Sequence, residues 1–577
     1  MTQLLIQKRV LVLGEDTRSF LSVIRSLGAA GMEVDIVTLI NTTPALRSKY
    51  IKKVYKLNYQ AFTQIEYSAK VTAIIEDGDY DLIVPCDERS LYPLLDIQEA
   101  KKTKATFAIP DRNILGPLFD KEETRKLAVE LGINVASGEH CEFNDTSSEA
   151  LISKYSLPLV LKPTKSYESE QLNQRNTVLI ARSISDIELF KQQNDQCLVE
   201  QFFEGTGMGV SVFSWKGKVR AAFAHKRVSE PEHGGGSSYR KACLLPPDML
   251  DACQKICIHL NYSGVAMFEF KYNSSSNEWI LIEINARFWG SLPLAIFAGV
   301  DFPKILATYL LTNEKSYKLT YNLKAHARSL TSDLYDIKAS FERNRTQNGT
   351  AKALSNAFPR LFGFIRLLTG NDTIDTFQWG DTRPFFSEIN ELIGEKIKRR
   401  FRMSKHSNNA KQYANLLAEP INEILVVCYG NIMRSPFAAN LLKKKFHRQG
   451  INVVVKGAGF HQLESRPSPE RCILEANKWG VDLSSHRSSW LSQSMIKSHG
   501  QLVIYFDLKH EYLLNSYYHS YRALNLAHFV PPPAGPLEEI ADPYDGSPDA
   551  LEQCYLNISS ALDEFLITLT ASNSITK

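Results

Sequence analysis

Apolar residues along this chain change their spacing in blocks. RVLVLG at 9–14 and EVDIVT at 33–38 are strand-like runs on either side of a helical stretch that carries Phe20, Ile24 and Leu27 on one face and stops in a Gly-rich turn. That pattern predicts a βαβ unit. Further apolar runs, DLIVPC at 81–86 and TFAIPD at 106–111, extend it to an open α/β domain over residues 1–115. From 116 to 318 the runs LPLVLK, CLVEQFF, VAMFEF and ILIEIN alternate with helices and Gly-rich turns, an α+β pattern. Residues 319–418 read as a polar helical extension and linker, ending in the basic run EKIKRRFRMSKHSNNAKQ. EILVVC then opens a fourth block, 419–577, where strands alternate with helices such as FAANLLKKKF.

Composition narrows the class. A chain of 577 residues is too long for one core, and 44% hydrophobic with 23% charged residues is globular. A net charge of +4 gives no basis for nucleic acid as a partner. The start, MTQLLIQKRVLVLGED, lacks a long apolar core with a small-residue cleavage site, and no run of roughly 18 apolar residues follows. The expected setting is the cytoplasm. Nine cysteines without a CxxC pair exclude a disulfide framework and a cysteine zinc cluster. Cys253 and Cys257, four apart, read as two small apolar groups of one helix rather than as soft metal ligands. The basic run reads as a solvated tether, with peripheral contact to an anionic membrane as the other reading.

The densest chemistry is CYGNIMRS at 428–435. A strand ends at Cys428, and Ser435-Pro436 predicts a helix start with Ser435 as N-cap and Pro436 at the first helical position. Backbone N–H groups at such a start favour an anion, and the same field activates a thiol. Cys428 is then the candidate nucleophile, Arg434 a planar fork for two phosphate oxygens, and Ser435 a hydrogen-bond partner for the thiolate. A phosphocysteine route also needs an acid, which Asp542 in ADPYD provides.

On VVCYGNIMRSPFA, GAGF at 457–460, GVDLSSHRSSWL at 480–491 and ADPYD at 541–545, the last block resembles a low-molecular-weight protein tyrosine phosphatase, a doubly wound parallel α/β domain. The resemblance implies that Cys428 attacks phosphorus, Arg434 binds the phosphoryl group, Asn431 and Ser435 shape the loop, Asp542 serves as acid and then base, and Tyr544 flanks the entrance. It implies no cofactor, and as substrate a phosphotyrosine protein or another phosphomonoester. Met433 stands where many relatives have a second cysteine. HQLESRPSP after GAGF replaces the usual aromatic wall, and Ile432 resembles the tyrosine-type loop more than the threonine version of arginine phosphatases.

The front blocks contain neither GxGxxG nor GxxxxGK[ST]. Lys121 follows Asp120 at a helix start and Lys162 closes LPLVLK; alone, each is an ordinary charge. In ILIEINARFWG, Glu283 and Asn285 are two apart and share a strand face, with Ile282 and Ile284 on the other. Glu269 on VAMFEF adds a third oxygen ligand suited to Mg²⁺ shared with phosphates, and Arg287 follows to meet phosphate charge. FDKEETRKLAVELGI, LPLVLKP, CLVEQFFEG and FEFKYN through EINARFWG resemble, in that order, an ATP-grasp ligase. The resemblance implies ATP with Lys121 and Lys162 on its phosphates and Glu200, Gln201, Phe202 and Phe203 at the adenine. It implies Mg²⁺ on Glu269, Glu283 and Asn285, and carboxylate and amine substrates joined through an acyl phosphate. The loop after Lys162, PTKSYESEQLNQRN, is not Gly-rich; glycines occur instead in HKRVSEPEHGGGSSYRKA, where His225, Lys226, Arg227 and Arg240 are candidate contacts for an anionic substrate. The first block would be the pre-ATP-grasp domain. A nucleotide-binding sensor that regulates a phosphatase of small phosphorylated metabolites is the alternative function.

Overall fold

The computed structural model describes residues 5–57, 62, 64–100, 103–143, 146–167, 176–191, 194–229, 237–312, 320–348, 350, 355, 360, 363–404, 413, 416, 417, 419–532, 534–544 and 548–571, with backbone only at 189, 339, 342, 343, 346–348 and 394–404. The loop after Lys162 from residue 168 to 175, the Gly-rich turn at 230–236, Asp545 and the side chains of the basic run lie outside the described residues. Compactness divides the chain into two units. Unit 1 is Met1–Thr38, Thr43–Lys56 and Ser68–Leu392; unit 2 is Leu39–Thr42, Leu57–Tyr67 and Ile393–Lys577.

Unit 1 begins with a parallel sheet of β1 (Arg9–Gly14), β2 (Glu33–Thr38), β3 (Ile51–Lys56), β4 (Leu82–Pro85) and β5 (Thr106–Phe107), in the order β3-β2-β1-β4-β5. β1 and β4 are buried almost throughout, as apolar runs covered on both faces must be. β3 is an edge, and the exposed Lys52 and Lys53 guard it. GEDTRS after β1 caps a helix: Asp16 Oδ1 accepts the Phe20 N–H at 2.7 Å, and Phe20, Ile24 and Leu27 of Ser19–Ala29 are buried. The strand order reverses between β1 and β4, which places Glu15, Asp87, Glu88 and Arg89 at the crevice where open α/β sheets bind ligands.

Two antiparallel sheets follow. The smaller contains β6 (Gly138–Glu142), β7 (Leu159–Lys162), β8 (Leu179–Ala181) and β9 (Gln196–Gln201), ordered β6-β9-β7-β8. The larger contains β10 (Thr206–Trp215), β11 (Lys218–Ser229), β12 (Tyr239–Ala242), β13 (Gly264–Asn273), β14 (Glu278–Asn285), β15 (His326–Arg328) and β16 (Asp372–Ile374), ordered β14-β13-β10-β11-β12-β15-β16; only the β15–β16 pair is parallel. Cys253 and Cys257 pack in the core beneath it, and burial pushes the Cys257 thiol up to about 12.

Two sequence expectations change here. In β14, Glu269 pairs with Glu283 but Phe270 pairs with Leu281, so Ile282 is an extra, bulged residue. Leu281 and Ile284 therefore enter the same core, and Ile282 does not share the Ile284 face. Residues 320–392 are also not a linker. β15 and β16 extend the larger sheet, and buried ion pairs tie them in: Arg328 reaches Asp333 at 3.0 Å and Asp372 at 2.5 Å, Arg240 pairs with Asp375, and Arg25 pairs with Asp381 at 2.9 Å. Three-residue strands are shorter than any periodicity can reveal, and buried charges read as surface charges until their partners are known.

Unit 2 has a parallel sheet of β17 (Glu423–Cys428), β18 (Val454–Gly459), β19 (Gln501–Tyr505) and β20 (Ala523–Asn525), ordered β18-β17-β19-β20. Ile424 and Val426 face one core with helices Arg434–Gln449 and Pro548–Ala571. Leu425 and Val427 face a second core with Leu514 and Tyr518. This is the doubly wound parallel architecture expected of the last block.

Candidate functional site

β17 delivers Cys428 to its C-terminal end, where the thiol is 3% exposed. The loop then turns back through Asn431, whose φ of +51° lies in the left-handed region that asparagine tolerates. This turn brings the Asn431 N–H to Cys428 Sγ at 3.2 Å and lets Asn431 Nδ2 donate to Ser435 Oγ at 2.8 Å. Ser435 Oγ lies 3.0 Å from Sγ. The helix starts two residues earlier than the sequence predicts. Met433 occupies the N-cap position without a side-chain bond, Arg434 is the first helical residue, and Ser435 is not the cap. The Ser435 hydroxyl is thereby released from capping to serve the thiol.

Gly459 closes the loop from behind: a Cβ there would come within 2.8 Å of Asn431 N and Tyr429 O. Two further side chains hold consecutive loop carbonyls. Arg466 Nη2 donates to Gly430 O at 2.6 Å, and His486 Nε2 bonds Asn431 O at 2.7 Å. Carbonyls held in this way leave the loop N–H groups to form an anion nest.

Arg434 is buried and joined to two carboxylates. Nη1 donates to Asp507 Oδ2 at 2.7 Å and to Ile540 O at 3.1 Å, and Nη2 to Asp542 Oδ2. Burial opposes its charge, but Cys428, Asp542 and Asp507 outweigh burial and hold the guanidinium above its ordinary value. Asp542 is half exposed and also accepts the Tyr544 N–H at 3.2 Å. Tyr429 and Tyr544 present exposed ring surface, and Lys509 Nζ lies 4.0 Å over the Tyr429 ring. Cys428, Asn431, Arg434, Ser435 and Asp542 are thus brought together. Cys472 and Cys554 are buried thiols pushed up to about 11 and about 12 by burial.

Asp507, Arg466 and His486 were not legible as site residues. Asp507 reads as an ordinary N-cap, and does cap Leu508–Tyr517 by accepting the His510 N–H at 2.8 Å. Its second oxygen, on Arg434, has no local signal.

In unit 1 the predicted residues form chains of pairs. Lys121 and Lys162 are buried rather than ordinary surface charges. Lys121 Nζ reaches Ser166 Oγ at 3.3 Å, and Lys162 Nζ reaches Glu200 Oε2 at 2.5 Å. Gln201 is exposed, Phe202 and Phe203 are half-buried, and Lys271 lies 5.0 Å over the Phe202 ring. Glu283 stands opposite Glu269 in register, and Asn285 Nδ2 donates to Glu283 Oε1 at 3.1 Å. Burial favours the protonated form of Glu283, but Lys121, Asn285, Lys162 and Arg287 outweigh it and hold the carboxyl below its usual range.

Glu269 Oε2 pairs with Arg227 at 2.9 Å, and Arg287 holds Glu88 Oε1 at 3.1 Å. Of the four expected anion contacts, Arg240 is only 1% exposed and locked to Asp375, and His225 is buried with its ring pushed down to about 3 by desolvation, Arg227 and Arg240. Arg240 is therefore a structural cation and not a substrate contact.

Lys121, Glu283 and Asn285 line one cavity of ≈ 20 Å³ with Glu88, Thr124 and Ser166, and Arg287 lines a larger one of ≈ 100 Å³. Two carboxylates and an amide oxygen on neighbouring strands fit a hard cation that completes its shell with phosphate oxygens. Among the described residues no group of three His, Cys, Asp or Glu could hold a metal alone. Among them, too, no single helix is long and apolar enough to cross a membrane.

Comparison with known proteins agrees with both regions. Residues 423–575 match the family "Low molecular weight phosphotyrosine protein phosphatase", and residues 193–332 match "ATP-grasp in the biosynthetic pathway with Ter operon". The chain is 32% identical over 152 residues to "Probable low molecular weight protein-tyrosine-phosphatase AmsI" of Erwinia amylovora, covering 26% of this chain and 99% of that protein. It is 29% identical over 133 residues to the protein-arginine-phosphatase of Bacillus subtilis, covering 23% and 85%. Among solved structures, the L-amino acid ligase from Bacillus licheniformis covers 53% of this chain and 75% of its own at 15% identity and a TM-score of 0.43, values that carry no argument about chemistry. With an ATP-grasp region ahead of a strand, a thiol loop and a helix that match from end to end, the chain belongs to the low-molecular-weight phosphotyrosine protein phosphatase family through residues 423–575.

Proposed function

We propose that the chain is a bifunctional enzyme whose last domain hydrolyses phosphotyrosine through a phosphocysteine. One observation carries this reading: a buried thiol that receives a loop N–H and lies 3.0 Å from a serine hydroxyl stands beside a buried arginine tied to Asp542. Cys428 Sγ attacks phosphorus while Arg434 and the loop N–H groups hold the phosphoryl oxygens. The P–O bond to the substrate breaks, its electron pair stays on the ester oxygen, and Asp542 supplies the proton. Asp542 then takes a proton from water as that water attacks the S–P bond. Inorganic phosphate leaves, and Ser435 stabilises the departing thiolate. Exposed ring surface of Tyr429 and Tyr544 favours an aryl ester over a small phosphorylated metabolite.

For unit 1 we propose an ATP-dependent carboxylate ligase working through an acyl phosphate, with residues 1–115 as pre-ATP-grasp domain, 116–318 as ATP-binding lobes and the unit continuing to 392. Lys121 and Lys162 would take the phosphates, and Glu200, Gln201, Phe202 and Phe203 the adenine. Mg²⁺ on Glu269, Glu283 and Asn285 would neutralise phosphate charge, and Arg287 would meet charge developing at the transferred group. Nine free cysteines suit a reducing, cytoplasmic setting.

The test is hydrolysis of p-nitrophenyl phosphate and a phosphotyrosine peptide by wild type, Cys428→Ser and Asp542→Ala, with ADP release measured on a carboxylate and amine panel. Cys428→Ser should remove at least about a thousandfold of the phosphatase rate, and Asp542→Ala about a hundredfold with the poorer leaving group. Wild type inert on both esters overturns the phosphatase reading. ATP binding without substrate-dependent ADP release replaces the ligase by a nucleotide sensor.

A further inference from the structure

The Asp542 loop is fixed at both ends. On its upstream side, Ile540 is fully buried; its N–H donates to Phe506 O at 2.8 Å and its carbonyl accepts from Arg434 Nη1 at 3.1 Å. On its downstream side, among the described residues, one side chain reaches two carbonyls. Arg471 Nη2 donates to Pro543 O at 3.2 Å and to Tyr544 O, the two carbonyls that immediately follow Asp542. Arg471 belongs to the helix Glu470–Lys478, whose Cys472 and Ala476 are packed at 0% exposure in the unit 2 core. An exposed arginine thereby connects a rigid core helix to the chain segment on which the candidate acid stands.

The local geometry around Asp542 shows why that connection matters. Oδ1 accepts the Tyr544 N–H, and Oδ2 meets Arg434. The Tyr544 peptide held by Arg471 is thus the neighbour of the one that orients the carboxyl. Pro543 fixes one φ but has no N–H with which to anchor itself, so its carbonyl is the polar group it offers for holding the loop. A charge-assisted donor on two successive carbonyls is the type of bond that sets a peptide plane.

We infer that Arg471 is a positioning residue for the general acid: by holding the Pro543 and Tyr544 carbonyls, it keeps the Asp542 carboxyl where the leaving oxygen must be protonated. This rests on the phosphatase reading above. Proton delivery matters most when the leaving oxygen is strongly basic. In the step that forms the phosphocysteine, a misplaced acid therefore slows phenyl phosphate, whose phenolate is a poor leaving group, and barely affects p-nitrophenyl phosphate, whose leaving group departs without help. A general loss of folding or of phosphate binding slows both equally.

The experiment compares kcat/KM, which reports the steps up to phosphocysteine formation, for the two esters in the full chain, in wild type, Arg471→Met, Asp542→Asn and the double variant. Arg471→Met keeps the aliphatic stem, and unchanged thermal unfolding verifies the fold. The expected result is a loss of about tenfold or more on phenyl phosphate and under about twofold on p-nitrophenyl phosphate, with no further loss when Arg471→Met is added to Asp542→Asn. Equal losses on the two esters, no loss on either, or an additive loss in the double variant overturns the inference while leaving the phosphatase reading intact. Wild type inert on both esters overturns the reading and the inference with it.

Discussion

The two chemical regions hold their cations differently. In unit 2 one guanidinium, Arg434, is shared between Asp507 and Asp542 beside a thiol, within a loop and helix start that span eight consecutive residues plus two distant acids. In the unit 1 site three cations reach carboxylates on other strands or helices: Lys162 reaches Glu200, Arg227 reaches Glu269 and Arg287 reaches Glu88. A shared cation is poised to exchange a carboxylate for a phosphoryl group with little reorganisation. Cations paired across separate elements must first lose a partner, or keep it as the substrate adds a further anion. The first site is preorganised in place, whereas the second is assembled by topology and has space for about a water.

The most direct way to break this comparison is a crossed pair of lesions. Cys428→Ser should abolish ester hydrolysis by at least about a thousandfold and leave ATP-dependent ADP release unchanged. Glu283→Gln should do the reverse, because it removes the charge that Lys121, Lys162 and Arg287 surround. Steady-state rates for both reactions in both variants decide it. A loss of both activities from either lesion would show that the regions act as one catalytic system.

A second lesion sharpens the distinction between cations that serve chemistry and those that serve structure. Arg240 and Asp375 form a buried pair in unit 1, each with an atom lacking a second partner: Arg240 Nε and Asp375 Oδ2. Arg240→Met removes the direct partner of the buried Asp375 and leaves only the neighbouring charge of Arg25, which costs up to about 3–5 kcal/mol of unit 1 stability. Calorimetry of the full chain should show the unit 1 transition shifted down, with hydrolysis of p-nitrophenyl phosphate unchanged at lower temperature. An unshifted transition would mean that Asp375 has another compensating partner.

What the sequence disclosed follows the same division. CYGNIMRS was legible because strand, nucleophile, arginine and helix start are contiguous, so local rules place Cys428, Arg434 and Ser435 together, while Asn431 came only from the family resemblance. It misplaced the cap because the same Ser435 hydroxyl can serve either an N–H or a thiol, and only the turn at Asn431 decides. Asp507 stayed hidden because one of its oxygens performs a complete local task. In unit 1, Glu283 and Asn285 were legible from a period of two, yet the bulge at Ile282 broke that period on the opposite face. The reading of 319–418 as a helical extension and linker missed β15 and β16 for a similar reason: they are held by long-range ion pairs, which leave no trace in spacing.

The smallest expected effect tests whether unit 2 is built around a dry, neutral support for its arginine. His510 is 0% exposed, stacked 5.7 Å from Phe460, with Nδ1 3.2 Å from Asp507 Oδ1. Burial pushes its ring down to about 3; Asp507 opposes this, and Arg434 and Lys509 reinforce it. A histidine that stays neutral to about pH 3 when folded but titrates near its ordinary value when unfolded takes up a proton on unfolding throughout the interval between. Its contribution is therefore complete above about pH 6.5 and declines as pH falls towards 3, by at most about 1.4 kcal/mol per pH unit. Between pH 6.5 and 5 that is on the order of 2 kcal/mol, or several degrees in a domain of this size. His510→Gln should lower stability at pH 7 yet shrink the loss between pH 6.5 and 5 in the unit 2 transition, while His225, also pushed down to about 3, still makes the unit 1 transition acid-sensitive. An unchanged pH slope in His510→Gln would mean that His510 is charged when folded. Asp507 would then be shared between two cations, and Arg434 would be freer to leave it for a phosphoryl group than its geometry alone suggests.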